Sequence, residues 1–157
     1  MPLYFAYGSN MNRAAMRLRC PSSRALGRAR LARHKFFIMS AGYASVKCDP
    51  SADVHGVLYE LALSDIPGLD RYEEVGRGLY NKVVQPVLRE AGAPVRALVY
   101  VGRSQVEGKP SAAYLDAIIG AAKDWSLPDA YMSYLASFAD RAAESDGRWR
   151  AIQLKGL

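Results

Sequence analysis

The sequence predicts an α+β fold built around a curled or barrel-like mixed sheet, on three observations. Strand-like segments crowd the first two thirds of the chain, and the last third turns to helical periodicity. No linker, repeat or low-complexity tract divides the 157 residues, which suffice to bury a proper core and are expected to form one domain over residues 1–157. The helices are expected to cover one side of the sheet.

The elements follow from local pattern. Pro2 to Tyr7 is an apolar strand, and Asn12 to Leu18 a short helix that stops before Cys20-Pro21, because Pro21 disfavours helix at Cys20. Leu26 to Ala32 and Lys35 to Met39 read as two short strands joined by a turn. Tyr43 to Lys47 alternates, Asp49 to Asp53 is a turn cluster, and Val54 to Leu61 is the clearest buried strand. Ser64-Asp65-Ile66-Pro67 can cap a brief helix carrying Leu69, Tyr72 and Glu73, with Pro67 acceptable in its first turn. Tyr80 to Leu88 and Val95 to Val101 form a hairpin around a loose Glu90 to Pro94 loop. Ala113, Leu115, Ile118, Ile119 and Ala122 mark one helix, Trp125 to Pro128 a break, and Tyr131, Tyr134, Leu135 and Phe138 a second helix. Arg148 to Leu157 is expected to add an edge strand.

Composition narrows the function classes. Half the residues are hydrophobic and 23% are charged, an ordinary globular balance. Lys and Arg number 21 against 15 acids, and seven arginines recur from Arg13 to Arg33 with no acid between them. Such a stretch can draw anionic small molecules or nucleic acid, but it lacks base-stacking aromatics and reads as a solvated basic face. Cys20 and Cys48 lack CxxC spacing, and His34 and His55 lack ligand spacing, so no metal site is expected. Two cysteines without a secretory signal point to reduced thiols and a cytoplasmic protein, and no apolar run reaches membrane-spanning length.

Two segments can carry chemistry. The first strand breaks at Tyr7 into Gly8-Ser9-Asn10, where Gly8 permits a positive φ or a close approach and Ser9 and Asn10 can cap the following helix. Successive N–H groups in such a turn suit a carboxylate or an oxyanion, though a plain capped turn explains the tripeptide equally. The second segment is Leu69-Asp70-Arg71-Tyr72-Glu73-Glu74. Glu73 follows Leu69 at helical spacing, so a buried Leu69 would draw its carboxyl towards the core, raising its pKa into the range of a proton shuttle. A helix-end acid paired with Arg71 or Arg77 is the structural alternative.

Taken together, Tyr4 to Met11 and Leu69 to Glu73 resemble the gamma-glutamylcyclotransferase-like family. Gly42 to Ser45, Gly56 to Leu61, Gly78 to Tyr80, Pro110 to Tyr114 and Leu127 to Tyr131 continue the resemblance in order, over roughly positions 2 to 135. It implies a small mixed or antiparallel β-barrel with flanking helices. It implies a cyclotransferase that converts a γ-glutamyl amine or γ-glutamyl amino acid to 5-oxoproline and the free amine, with links to glutathione metabolism. By motif, the acid/base is Glu73, the substrate cradle is Tyr7, Gly8, Ser9 and Asn10, and Tyr80 and Tyr114 are pocket hydroxyls. No cofactor or metal is implied, and the partner is a small γ-glutamyl substrate rather than nucleic acid or membrane, bound by a monomer or homodimer.

Members of the family commonly have Gly after the catalytic glutamate, where this chain has Glu74. A second carboxylate there could raise the Glu73 pKa by like-charge repulsion, alter substrate choice, or itself be the operative acid. Ser9 ranks low as a nucleophile, since no GxSxG elbow or histidine partner accompanies it. A binding module for an anionic metabolite on the same fold is the alternative function, and an RNA-binding protein a more distant one.

Overall fold

Five strands close on themselves, because each apolar segment needs a partner on both edges and the first strand meets the last. The computed structural model describes residues 1–139. The strands are β1 (Leu3–Ala6), β2 (Arg24–Ile38), β3 (Ala44–Glu60), β4 (Tyr80–Arg89) and β5 (Val95–Gly102). They form a closed barrel in the order β1-β3-β2-β4-β5. Every pairing is antiparallel except β1 with β5, which meet in parallel at Tyr4 and Leu98 and complete the ring. The barrel is thus mixed, as the sequence implied. The edge strand expected over residues 148–157 lies outside the described residues.

The barrel interior is aliphatic and aromatic. Phe5, Ala6, Val54, Val57, Val87 and Val99 are fully inaccessible to solvent. Gly56 on β3 is required by this packing. A Cβ there would stand 2.2 Å from the Ala6 carbonyl oxygen and 2.9 Å from the Phe5 ring, so any side chain would push β1 away.

The sequence divides the region from residue 26 to 61 into four short strands, and the structure joins them into two long ones. Gly27 (φ 127) absorbs one register shift of β2 against β3, and Arg33 (φ 60) a second. Between the pairs Ala32–Asp53 and His34–Cys48, Arg33 alone faces residues 49–52. The expected turn at Asp49 to Asp53 is therefore a bulge within β3. Its turn chemistry is real: the Asp49 Oδ1 accepts from the Ser51 N–H at 2.9 Å and from the Ser51 hydroxyl at 2.7 Å.

Four helices complete the described residues: α1 (Arg13–Arg19), α2 (Ile66–Tyr72), α3 (Ala112–Asp124) and α4 (Asp129–Ala136). Pro67 sits in the first turn of α2 as expected, but the Asp65 side chain does not cap that helix. Its buried carboxylate instead accepts from the Ser22 N–H at 3.0 Å, tying α2 to the α1–β2 connection. The Ser111 hydroxyl caps α3, and the Trp125 indole beyond its end donates to the Met11 carbonyl at 2.8 Å. That bond holds α3 against the turn that follows β1. No helix among the described residues is long and apolar enough to cross a membrane.

Candidate active site

A cavity of about 190 Å³ opens where the end of β1, the end of α2 and the start of β4 converge. Every residue singled out in the sequence lines it: Tyr7, Gly8, Ser9, Asn10, Glu73, Tyr80 and Tyr114.

The first wall is the turn after β1. Ser9 to Met11 form one turn of 3-10 helix, with the Met11 N–H bonded to the Gly8 carbonyl and the Asn12 N–H to that of Ser9, each at 3.1 Å. The N–H groups of Ser9 and Asn10 lead the turn, where helical geometry offers them no partner. Two details differ from expectation. Gly8 has φ −116, so the turn does not use its left-handed freedom. A Cβ there would lie 3.7 Å from both the Ala44 Cβ and the Tyr114 hydroxyl, so glycine serves to leave the cavity open. The cap of α1 is Asn12, whose Oδ1 accepts from the Ala15 N–H at 2.9 Å, rather than Ser9 or Asn10.

Asn10 is 2% exposed, and its side chain is fully engaged. The amide nitrogen donates to the Tyr4 hydroxyl at 3.0 Å and to Glu73 Oε1 at 3.2 Å. The amide oxygen accepts from Arg19, which can only donate, so the orientation of the amide is fixed by its partners. The Asn10 side chain therefore orients Glu73, and only its backbone N–H remains for a ligand. Arg19 in turn lies over the Tyr72 ring at 3.5 Å, and the Tyr72 hydroxyl shares a 2.9 Å hydrogen bond with Ser9. The sequence pattern assigns no site role to Arg19 or Tyr4. The need for a donor to a buried Asn oxygen is inferable, but nothing distinguishes Arg19 from its six arginine neighbours.

Glu73 stands at the C-terminal end of α2, four residues beyond the fully buried Leu69, as the spacing anticipated. Burial pushes its carboxyl up to about 7, against the opposing pull of the Arg19 guanidinium. Desolvation, and not repulsion from Glu74, is the dominant cause. A group balanced this way exchanges protons readily near neutral pH.

The tyrosines divide by what their hydroxyl protons already do. Tyr7 donates to the Tyr100 carbonyl, and Tyr80 to the Ala44 carbonyl at 2.5 Å. Each thus presents only lone pairs to the cavity. Tyr114 instead accepts from the Ala44 N–H at 3.0 Å and keeps its proton free to donate. Burial raises all three phenols above their ordinary range, so they remain neutral hydroxyls. Behind them, Tyr100 donates to Asp70 at 2.5 Å, and Asp70 pairs with Lys82 at 2.8 Å, fastening α2 to the barrel.

Glu74 also lines the cavity, with φ 50 and ψ 40. The position at which the resemblance sets a glycine is thus left-handed here, and a glutamate occupies it. Its carbonyl accepts from the Arg77 and Leu79 N–H groups, and its carboxylate pairs with Arg77 at 3.2 Å.

Fold and cavity define a small-barrel protein with a half-buried, near-neutral carboxyl set against a turn of free N–H donors and a ring of tyrosines. The chain belongs to the AIG2-like family, whose model matches residues 53–135, a span that includes Glu73, Tyr80 and Tyr114. It is 29% identical to a human gamma-glutamylcyclotransferase over 143 residues, covering 85% of this chain and 76% of that protein. A mouse gamma-glutamylcyclotransferase is 32% identical, again over 143 residues, with the same shares covered. A solved gamma-glutamyl cyclotransferase superposes with a TM-score of 0.79 at 30% identity, covering 85% of each chain.

Proposed function

We propose that the protein is a cyclotransferase that converts a γ-glutamyl amine or amino acid into 5-oxoproline and the free amine. The observation that carries this reading is the Glu73 carboxyl, raised to about 7 by burial and aimed by Asn10 at the cavity. Internal aminolysis needs no protein nucleophile, because the substrate's own α-amine attacks its γ-carbonyl. What the protein must supply is a folded substrate, a proton acceptor and donors for negative charge.

The cavity supplies each in a separate place. The acceptor-only oxygens of Tyr7 and Tyr80 suit the α-ammonium, placing it beside Glu73. The leading N–H groups of the Ser9–Asn10 turn and the free Tyr114 proton suit the α-carboxylate or the oxygen of the attacked carbonyl. With one ammonium proton released to solvent, Glu73 takes a second proton from the neutral α-amine as its lone pair forms the new N–C bond. It returns that proton to the leaving nitrogen as the γ-amide bond breaks, so one group balances the cycle. Holding the amine near the carbonyl accounts for a further reduction of the barrier, about 7–11 kcal/mol in well-oriented systems.

The test is incubation of the purified protein with a panel of γ-glutamyl compounds and detection of 5-oxoproline by mass spectrometry. Release by the wild type and its loss in Glu73→Gln, with an unchanged melting profile, is the expected result. Wild-type turnover by Glu73→Gln would overturn the role of Glu73, and silence across the panel would favour a binding module.

A further inference from the structure

We infer that Glu74 makes the cavity selective for leaving amines that carry a second positive charge, an inference that rests on the cyclotransferase reading above. Glu73 must return its proton to the leaving nitrogen, so that nitrogen lies within hydrogen-bond reach of the Glu73 carboxyl. The substituent on it then extends from Glu73 towards the cavity mouth. Glu74, the next residue in the chain, stands there among Tyr43 and Tyr72, which are 47% and 40% exposed.

The chemistry of this mouth is that of an ammonium site. Aromatic faces and a carboxylate attract a cation jointly, and no Lys or Arg side chain lines the cavity among the described residues. Two cations near this mouth are already engaged from outside the lining, Arg19 on the Tyr72 ring at 3.5 Å and Arg77 on Glu74. Glu74 already holds one cation, the Arg77 guanidinium at 3.2 Å. That arginine is 84% exposed, and such a pair is weak enough for an incoming ammonium to replace it.

The backbone points the same way. A left-handed conformation at a non-glycine residue is costly and persists where the surroundings enforce it. At Glu74 the N–H bonds to Arg71 and the carbonyl accepts from Arg77 and Leu79, which fixes where the side chain departs. An exposed pair with Arg77 is slight recompense for that conformation. Recognition of a charge on the substrate gives the carboxylate a reason to be there.

The probes are γ-L-glutamyl-1,4-diaminobutane and its neutral isostere, γ-L-glutamyl-pentylamide. In the wild type, kcat/KM is expected to favour the cationic compound about five- to tenfold, mainly through KM. The ratio should fall towards one in Glu74→Gln and rise in Arg77→Gln, which removes the internal competitor. A wild-type ratio near one, or a ratio unchanged in Glu74→Gln, overturns the inference while leaving the cyclotransferase reading intact. If neither compound yields 5-oxoproline, the wider γ-glutamyl panel decides whether the cyclotransferase reading fails, and calorimetric Kd values for the same two compounds decide the selectivity. Tighter binding of the cation, lost in Glu74→Gln, upholds it, and equal Kd values overturn it.

Discussion

The cavity has two walls held by different means. The turn after β1 is fixed by buried polar contacts: Asn10 lies 2% exposed with Tyr4, Glu73 and Arg19 all bonded to its amide. The connection after α2 is fixed by its backbone, with left-handed residues at Glu74 and Gly78 and an ion pair exposed to solvent. Removing one partner from a buried network leaves others unsatisfied, whereas an exposed pair is readily replaced by water. The first wall therefore resists change and, on the proposed reading, would serve the proton chemistry. The second tolerates change and, on the same reading, would serve the choice of substrate.

The largest effect expected is at the point where the walls meet. Replacing Glu73 by Gln keeps an oxygen for Asn10 but removes the proton shuttle, and turnover should fall about 10²- to 10⁴-fold. Next is Asn10→Ala, which leaves Glu73 in place without its guide. We expect kcat to fall about 10²-fold, with much less change in KM, since misplacement of a reacting group by about an ångström costs this much. A larger effect on KM than on kcat would place Asn10 among the substrate contacts instead.

A smaller effect distinguishes burial from charge as the source of the Glu73 shift. The base must be ionised to accept a proton, so kcat/KM should rise with pH through about 7, well above the ordinary carboxyl range. Arg19 stabilises the carboxylate and holds this value down. In Arg19→Gln burial is less opposed, and the acid limb should move to higher pH. A limb that stays in place would confine Arg19 to positioning Asn10.

Much of this arrangement is legible in the residues. Apolar runs, periodicity and cap residues mark where the strands and α-helices of the described residues lie, and the four-residue step from Leu69 to Glu73 puts the acid at the core boundary. The strand–turn junction at Tyr7 to Asn10 is visible because an apolar run ends on small polar residues. The joining of four strands into two is not visible, because Asp49 to Asp53 has turn chemistry whether it ends a strand or bulges from one. The partners of Asn10 are hidden for another reason. They come from α1, β1 and the end of α2, and only tertiary packing selects Arg19 from a run of seven arginines.

The smallest effect bears on the second wall alone. Glu74→Gly removes the left-handed penalty, about 1–2 kcal/mol, but loses an exposed ion pair worth about 0–1 and loosens the unfolded chain by about 0.4–1. These nearly cancel, so denaturant midpoints should show a change of about 0.5 kcal/mol or less. Glu74→Ala loses the same carboxylate while keeping the left-handed cost. It should therefore be less stable than Glu74→Gly by about 1 kcal/mol, and that gap isolates the backbone from the side chain. If both variants instead lose 2 kcal/mol or more, the Glu74 carboxylate is holding the wall together. The two walls would then be alike, and the division between fixed chemistry and adjustable recognition would fail.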